Sequence, residues 1–153
     1  MHIGLAVLEE SVARGLAARG IAESAEIAWA CAWLEACGYP GLKLLAEALD
    51  DPVTDVALPR DAIGLDLGNV SCALVAPEIM REVTSQGRVF LRNVRHGLYL
   101  LPFTVRADIG IGCPVDPAFA LGGERHKNPY AEKLALAETN GIDVDDALLQ
   151  LIG

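Results

Sequence analysis

Apolar residues recur at helical spacing through the first fifty positions. Leu5, Leu8, Val12 and Leu16 mark one amphipathic helix, which Gly20 stops. Ile27, Ala30, Cys31 and Leu34 mark a second helix over Glu23–Cys37, with Gly38 in the position just past its end. Pro40 opens a third, Gly41–Leu49, where its missing N–H does no harm. The short connections predict an antiparallel pair with the third helix packed across it.

The pattern changes after the turn-rich connector 50–60. Ala62–Asp66 and Val70–Val75 read as strands about a Leu67-Gly68-Asn69 turn. Pro77 is expected to open a helix to about Ser85, ended by Gln86-Gly87. Arg88–Leu91 alternates polar and apolar residues and reads as a strand, and Pro102 favours a short helix through Asp108. Ile109–Pro117 is expected to be extended or turning, because residues before proline avoid the α region. Asn128 and Pro129 are expected to start a helix to Glu138, and Asp143 to cap a last helix over Val144–Ile152. Together these predict one α/β (or α+β) domain over residues 1–153. In it an N-terminal helical layer, 1–50, packs on a small mixed sheet, and C-terminal helices close the sheet-containing part, 60–153.

Composition sharpens this picture. The chain has 153 residues, 52% of them hydrophobic and only 5% aromatic, so Ala, Leu, Val and Ile must build the core. The Ala-rich helices leave apolar surface to hide and predict a homodimer. A net charge of −9 argues against nucleic acid as a partner. Acids enter by Glu9 and no apolar run reaches transmembrane length, so neither a secretory signal nor a membrane partner is expected. The expected location is the cytoplasm. Cys31, Cys37, Cys72 and Cys113 lack CxxC or zinc spacing and are expected to be free thiols, with no metal and no cofactor.

One segment departs from the acidic background. Residues 81–106 carry five arginines (Arg81, Arg88, Arg92, Arg95, Arg106) against the single acid Glu82, a local balance of +4. His96 and Gly97 lie within it, at a strand-to-helix junction where backbone N–H groups and fixed positive charge hold small anions. The candidate ligand-binding residues are Arg92, Asn93, Arg95, His96, Gly97 and Tyr99. The competing reading is a histidine bonded to a backbone carbonyl, with the arginines paired to the acidic N-terminal half.

Other motifs carry less. Gly110, Gly112, Gly122 and Gly123 form neither GxGxxG nor a P-loop and suit turns. His126 has no partner at helical spacing, and Asp143, Asp145 and Asp146 do not match an EF-hand. Ser71 and Cys72 have no base nearby in sequence, so a nucleophile is not supported.

Residues 22–42, Ala-Glu-Ser-Ala-Glu-Ile-Ala-Trp-Ala-Cys-Ala-Trp-Leu-Glu-Ala-Cys-Gly-Tyr-Pro-Gly-Leu, together with His96-Gly-Leu-Tyr-Leu-Leu-Pro-Phe103, resemble an uncharacterised bacterial family, a domain of unknown function. That resemblance implies a fold and no activity. Leu65-Asp-Leu-Gly-Asn69, Arg92-Asn-Val-Arg-His-Gly97 and Gly141-Ile-Asp-Val-Asp-Asp-Ala-Leu-Leu149 are more distantly similar to the second type of NAD(P)-dependent malate/lactate dehydrogenases. The chain departs from them in having Tyr39-Pro40-Gly41 where that family carries its catalytic Ser-His-Gly. The leading expectation is a non-catalytic, self-associating cytoplasmic protein that binds a small anionic metabolite. The alternatives are a minimal NAD(P)-linked or other anion-processing enzyme using His96, and an accessory subunit of a larger complex.

Overall fold

The computed structural model describes residues 1–51, 64–86, 90–108 and 130–153. It is a mostly helical α+β fold with two small two-stranded sheets. The chain divides into two compact units, Met1–Asp51 with Lys127–Gly153, and Pro52–His126. The 50–60 connector therefore marks one boundary. The second falls near residue 126, because the C-terminal helices belong with the N-terminal ones.

In the first unit, helices α1 (Leu5–Ala18), α2 (Ser24–Ala36) and α3 (Gly41–Asp50) follow the apolar spacing closely. Helix α2 is its centre: Ile27, Ala28, Ala30, Cys31, Ala32, Trp33 and Leu34 are all buried. Small residues let α1 and α3 pack on it closely. Gly38 follows the end of α2 at φ +85°, a conformation L side chains rarely adopt. Helix α3 has no side-chain cap of its own. The carboxylate of Glu35, on α2, accepts from the Leu42 N–H at 3.0 Å and serves instead. Burial nevertheless pushes that carboxyl above its usual range.

Helices α6 (Ala131–Asn140) and α7 (Asp146–Ile152) complete this unit. Tyr130, just before α6, stacks on Trp33 with ring centroids 4.8 Å apart, and its hydroxyl lies 3.4 Å from that of Tyr39. Gly15 of α1 lies against the backbone of Ile152, and the Arg19 guanidinium donates to the carbonyls of Gly15, Leu151 and Ile152. A cation at these carbonyls complements the C-terminal ends of both helices. The last helix is capped by Asp145, whose carboxylate accepts from the Leu148 N–H at 3.2 Å. This corrects the expectation for Asp143, which lies in a strand and pairs with His2 instead.

Strand β1 (His2–Ile3) pairs antiparallel with β4 (Ile142–Asp143). The His2 ring holds the pair from one side. Nδ1 is 2.9 Å from the Asp143 carboxylate and Nε2 is 2.6 Å from the Asn140 carbonyl. Both partners are acceptors, so only the doubly protonated imidazolium satisfies both. The His2 pKa is accordingly raised, chiefly by the bond to Asp143 and then by that to Asn140, while desolvation and, less, the neighbouring amino terminus oppose it. A raised folded-state pKa means a contribution fully present below pH ~6.5 and lost as pH rises through the higher folded value. Hydrogen exchange at the Val144 amide, which donates to the Met1 carbonyl, should therefore speed up on raising pH beyond its intrinsic base catalysis. His2→Gln should remove that extra dependence. An unchanged excess in the variant would exclude the imidazolium clamp.

The second unit is built on a β–α–β element. Strand β2 (Leu65–Asp66) pairs in parallel with β3 (Leu91–Arg92), in the register Leu65↔Leu91 and Asp66↔Arg92, with α4 (Cys72–Gln86) between them. Parallel neighbours require such a crossover. Pairing runs on past the strands through Asn69 N–H to Asn93 O and Cys72 N–H to Arg95 O, both 2.9 Å, ending in a bridge between Ser71 and Arg95. Gly64 is needed at its start. It has φ +143°, and any Cβ there would overlap the Phe90 carbonyl.

Two expectations are corrected in this unit. Val70–Val75 is not a strand, and Pro77 does not open the helix. The helix starts at Cys72 and Pro77 lies inside it. Ser71 through Pro77 are all buried. A short run that is apolar on every side suits a buried helix as well as a buried strand. The Ser71 hydroxyl decides it by accepting the Ala73 N–H at 3.2 Å, and the Cys72 N–H is taken by Arg95 O. A 3₁₀ turn over Gly97–Leu100 then leads into α5 (Leu101–Ala107), as Pro102 suggested.

Cys31, Cys37 and Cys72 are buried thiols, and desolvation pushes Cys37 up to about 11. Among the described residues no helix is long and apolar enough to cross a membrane. Arg88, Cys113, Gly110, Gly112, Gly122, Gly123, His126, Asn128 and Pro129 lie outside the described residues.

Candidate functional site

The carboxyl ends of β2 and β3 open onto the loops 67–71 and 93–96. In parallel sheets, ligands bind beyond the carboxyl ends of the strands. Three residues here, Asn69, Asn93 and His96, have left-handed backbones at φ +61°, +55° and +55°. Asparagine and histidine tolerate this better than most, but each such residue still carries strain.

The structure places the six sequence-predicted residues differently. Arg92 ends β3 and is half-buried, opposite Asp66 in the register. Asn93 is exposed, and its amide donates to the Asp66 carboxylate at 2.8 Å. Arg95 and His96 are half-buried neighbours. No hydrogen bond or ion pair joins the Arg95 side chain to another described residue. Gly97 is half-buried and begins the 3₁₀ turn. Tyr99 is fully buried in the core of this unit, with an accessibility of 0%. It lies behind the loop and has no surface to offer a ligand. Arg106, also of the cationic segment, lies over the Phe103 ring at 5.2 Å.

Two residues join the site that the sequence reading did not include. Ser71 is 3% exposed, and its hydroxyl lies 2.6 Å from His96 Nδ1. It bridges α4 to the turn that follows β3. Asp66 accepts from Asn93 and from the Gly68 N–H at 2.9 Å. The Asn93 bond, then the Gly68 bond, hold its carboxyl below the usual range, with the Arg92 guanidinium adding to them. The Asp66-x-Gly68 spacing is an Asx-turn signal legible in sequence. The Ser71–His96 pairing, 25 residues apart, is not.

The amino end of α4 is closed to an anion. Its first N–H groups, on Cys72, Ala73 and Leu74, already donate to Arg95 O, Ser71 Oγ and Ser71 O. Among the described residues this leaves the side chains of the 92–96 loop as the candidates for holding an anion. The buried and bonded Ser71 hydroxyl is a positioning group rather than a nucleophile. Among the described residues no group of three or more His, Cys, Asp or Glu side chains is placed to hold a metal ion. Comparison with family models, with curated proteins and with solved structures finds nothing that matches this chain.

Proposed function

We propose that the loop Arg92–Gly97 binds a small anionic metabolite, without catalysis, in a cytoplasmic protein that self-associates. The observation that carries this reading is Arg95. It is a half-buried cation, in a net acidic chain, with no partner among the described residues. It stands beside a histidine whose ring is fixed by Ser71. Burying such a charge part-way is costly unless something completes it.

Thermal melting against carboxylates, phosphates and nucleotides tests the reading. An anion at about one hundred times its Kd should stabilise by roughly 2.7 kcal/mol. For a chain of this length that is a rise of about 5–10 °C in Tm. Arg95→Ala should abolish the rise and leave the unliganded Tm nearly unchanged. A loss of stability in Arg95→Ala with no anion shifting the wild type would mean that Arg95 serves the fold instead.

Self-association is read from apolar side chains left exposed on the first unit, Met1, Val7, Leu136 and Leu151. Light scattering at micromolar concentration should give twice the chain mass; a monomer would count against it.

A second reading, an enzyme using His96 as acid or base, is favoured by the 2.6 Å contact to Ser71, which fixes the ring as a catalytic base requires. Turnover of a bound anion, lost in His96→Ala with binding retained, would support it over simple binding.

A further inference from the structure

The charge available at the 92–96 loop can be counted from its contacts. Three of its side chains are able to carry a positive charge: Arg92, Arg95 and His96. Arg92 stands opposite Asp66 in the parallel register. The Asp66 carboxylate is held ionised by the Asn93 amide and the Gly68 N–H, and the Arg92 guanidinium lies within its field. One negative charge thus offsets one positive charge at the base of the loop.

His96 is governed by Ser71. A hydroxyl has one proton to give and accepts through its lone pairs. The Ser71 oxygen already accepts the Ala73 N–H, and its own proton has His96 Nδ1 before it at 2.6 Å. Donation to Nδ1 makes that nitrogen an acceptor. With Ser71 as the donor, the ring is the neutral tautomer with its proton on Nε2. Arg95 alone is left uncompensated among the described residues, as a single half-buried positive charge.

We infer that the ligand class of this loop is the monocarboxylates, and that Ser71 sets this preference by holding His96 as a neutral imidazole. The inference rests on the anion-binding reading. A carboxylate brings one negative charge and two coplanar acceptor oxygens, which fit a guanidinium fork. A phosphate near its dianionic form, or a dicarboxylate, brings a second negative charge, and among the described residues of the loop no second uncompensated cation stands to meet it. Partly desolvated, that excess charge weakens binding.

The test uses the full chain near pH 7.5, with acetate and propionate as monocarboxylates and inorganic phosphate and malonate as dianions. Calorimetric titration should give monocarboxylates a Kd at least tenfold lower than either dianion. The ring nitrogens of His96, read by long-range proton–nitrogen NMR, should show the neutral Nε2–H form in the wild type and in Ser71→Thr. In Ser71→Ala the Nδ1 signal should move away from the bonded-acceptor position, and the gap between acetate and phosphate should narrow. The wild-type measurements stand alone should Ser71→Ala fail to fold. Phosphate or malonate binding as tightly as acetate would overturn the inference while leaving the anion site in place. An imidazolium signal, or an Nδ1–H tautomer, in the wild type would overturn it too. Binding of none of the four would remove the inference, and an equal absence of response to nucleotides and larger anions would remove the anion-binding reading with it.

Discussion

Gly15→Ala is expected to destabilise the first unit by roughly 2–4 kcal/mol, against the usual direction of a glycine-to-alanine change inside a helix. In an open helix that change gains up to about 1 kcal/mol. Here the new methyl group would overlap the carbonyl of Ile152 and press on the Cα of Gly153, 3.0 Å away. Both obstacles are backbone, so no rotamer change relieves them. Helix α7 must move, and overpacking of this kind costs about 1–3 kcal/mol. Moving α7 also strains the bonds from the Arg19 guanidinium to the Leu151 and Ile152 carbonyls, and bonds to charged groups are worth about 1.5–3 kcal/mol each. Urea denaturation of wild type, Gly15→Ala, Arg19→Ala and the double variant checks this. The double variant should lose less than the sum, since both changes break one contact. A stabilised Gly15→Ala would show that α7 is not seated on α1.

Tyr99→Ala is expected to cost the second unit about 3–5 kcal/mol, the range for removing a large buried aromatic ring. Tyr99 is among the largest fully buried side chains, and the 3₁₀ turn that carries it packs on both α4 and α5. Its N–H donates to the His96 carbonyl at 3.1 Å. Collapse into the cavity would pull on His96 and loosen its contact with Ser71. Any anion-induced rise in Tm should therefore shrink, although Tyr99 touches no ligand. Tyr99→Leu keeps much of the volume and should lose less on both measures. Wild-type stability in Tyr99→Ala would contradict its place in the core.

The three N-terminal helices were legible because glycine and proline stand at their ends, and because apolar residues recur at helical spacing. Gly20, Gly38 and Pro40 place the boundaries within a residue or two of those observed. Val70–Val75 misled because every position from Ser71 on is buried, which erases the periodicity that separates a helix from a strand. The decisive group there, the Ser71 hydroxyl, acts through a bond to Ala73 that resembles any serine in sequence. The β1–β4 pair was invisible for a different reason. Two residues per strand give no alternation to detect, and the partners are about 140 positions apart.

The site was legible as charge and not as geometry. Five arginines near His96 mark the loop on which the proposed site rests. Nothing in the pattern distinguished Arg95, whose side chain has no partner among the described residues, from Arg106, which covers Phe103. Tyr99 belongs to the same sequence motif as His96 yet faces the interior, because the 3₁₀ turn between Gly97 and Leu100 rotates it inward.

The first unit is discontinuous in sequence, with residues 1–51 separated from 127–153, whereas the second is one uninterrupted stretch. During synthesis, when chains emerge from the amino terminus, the two are completed in the reverse of their numbering. The β–α–β element has its described partners once residue 108 has emerged. Helices α1 to α3 emerge earlier, yet the carbonyls that satisfy Arg19 and the strand that pairs with His2–Ile3 emerge after the second unit. Until then Gly15 and its neighbours on α1 lack the surface that covers them. The nascent chain thus carries an unfinished helical layer until residues 127–153 have emerged.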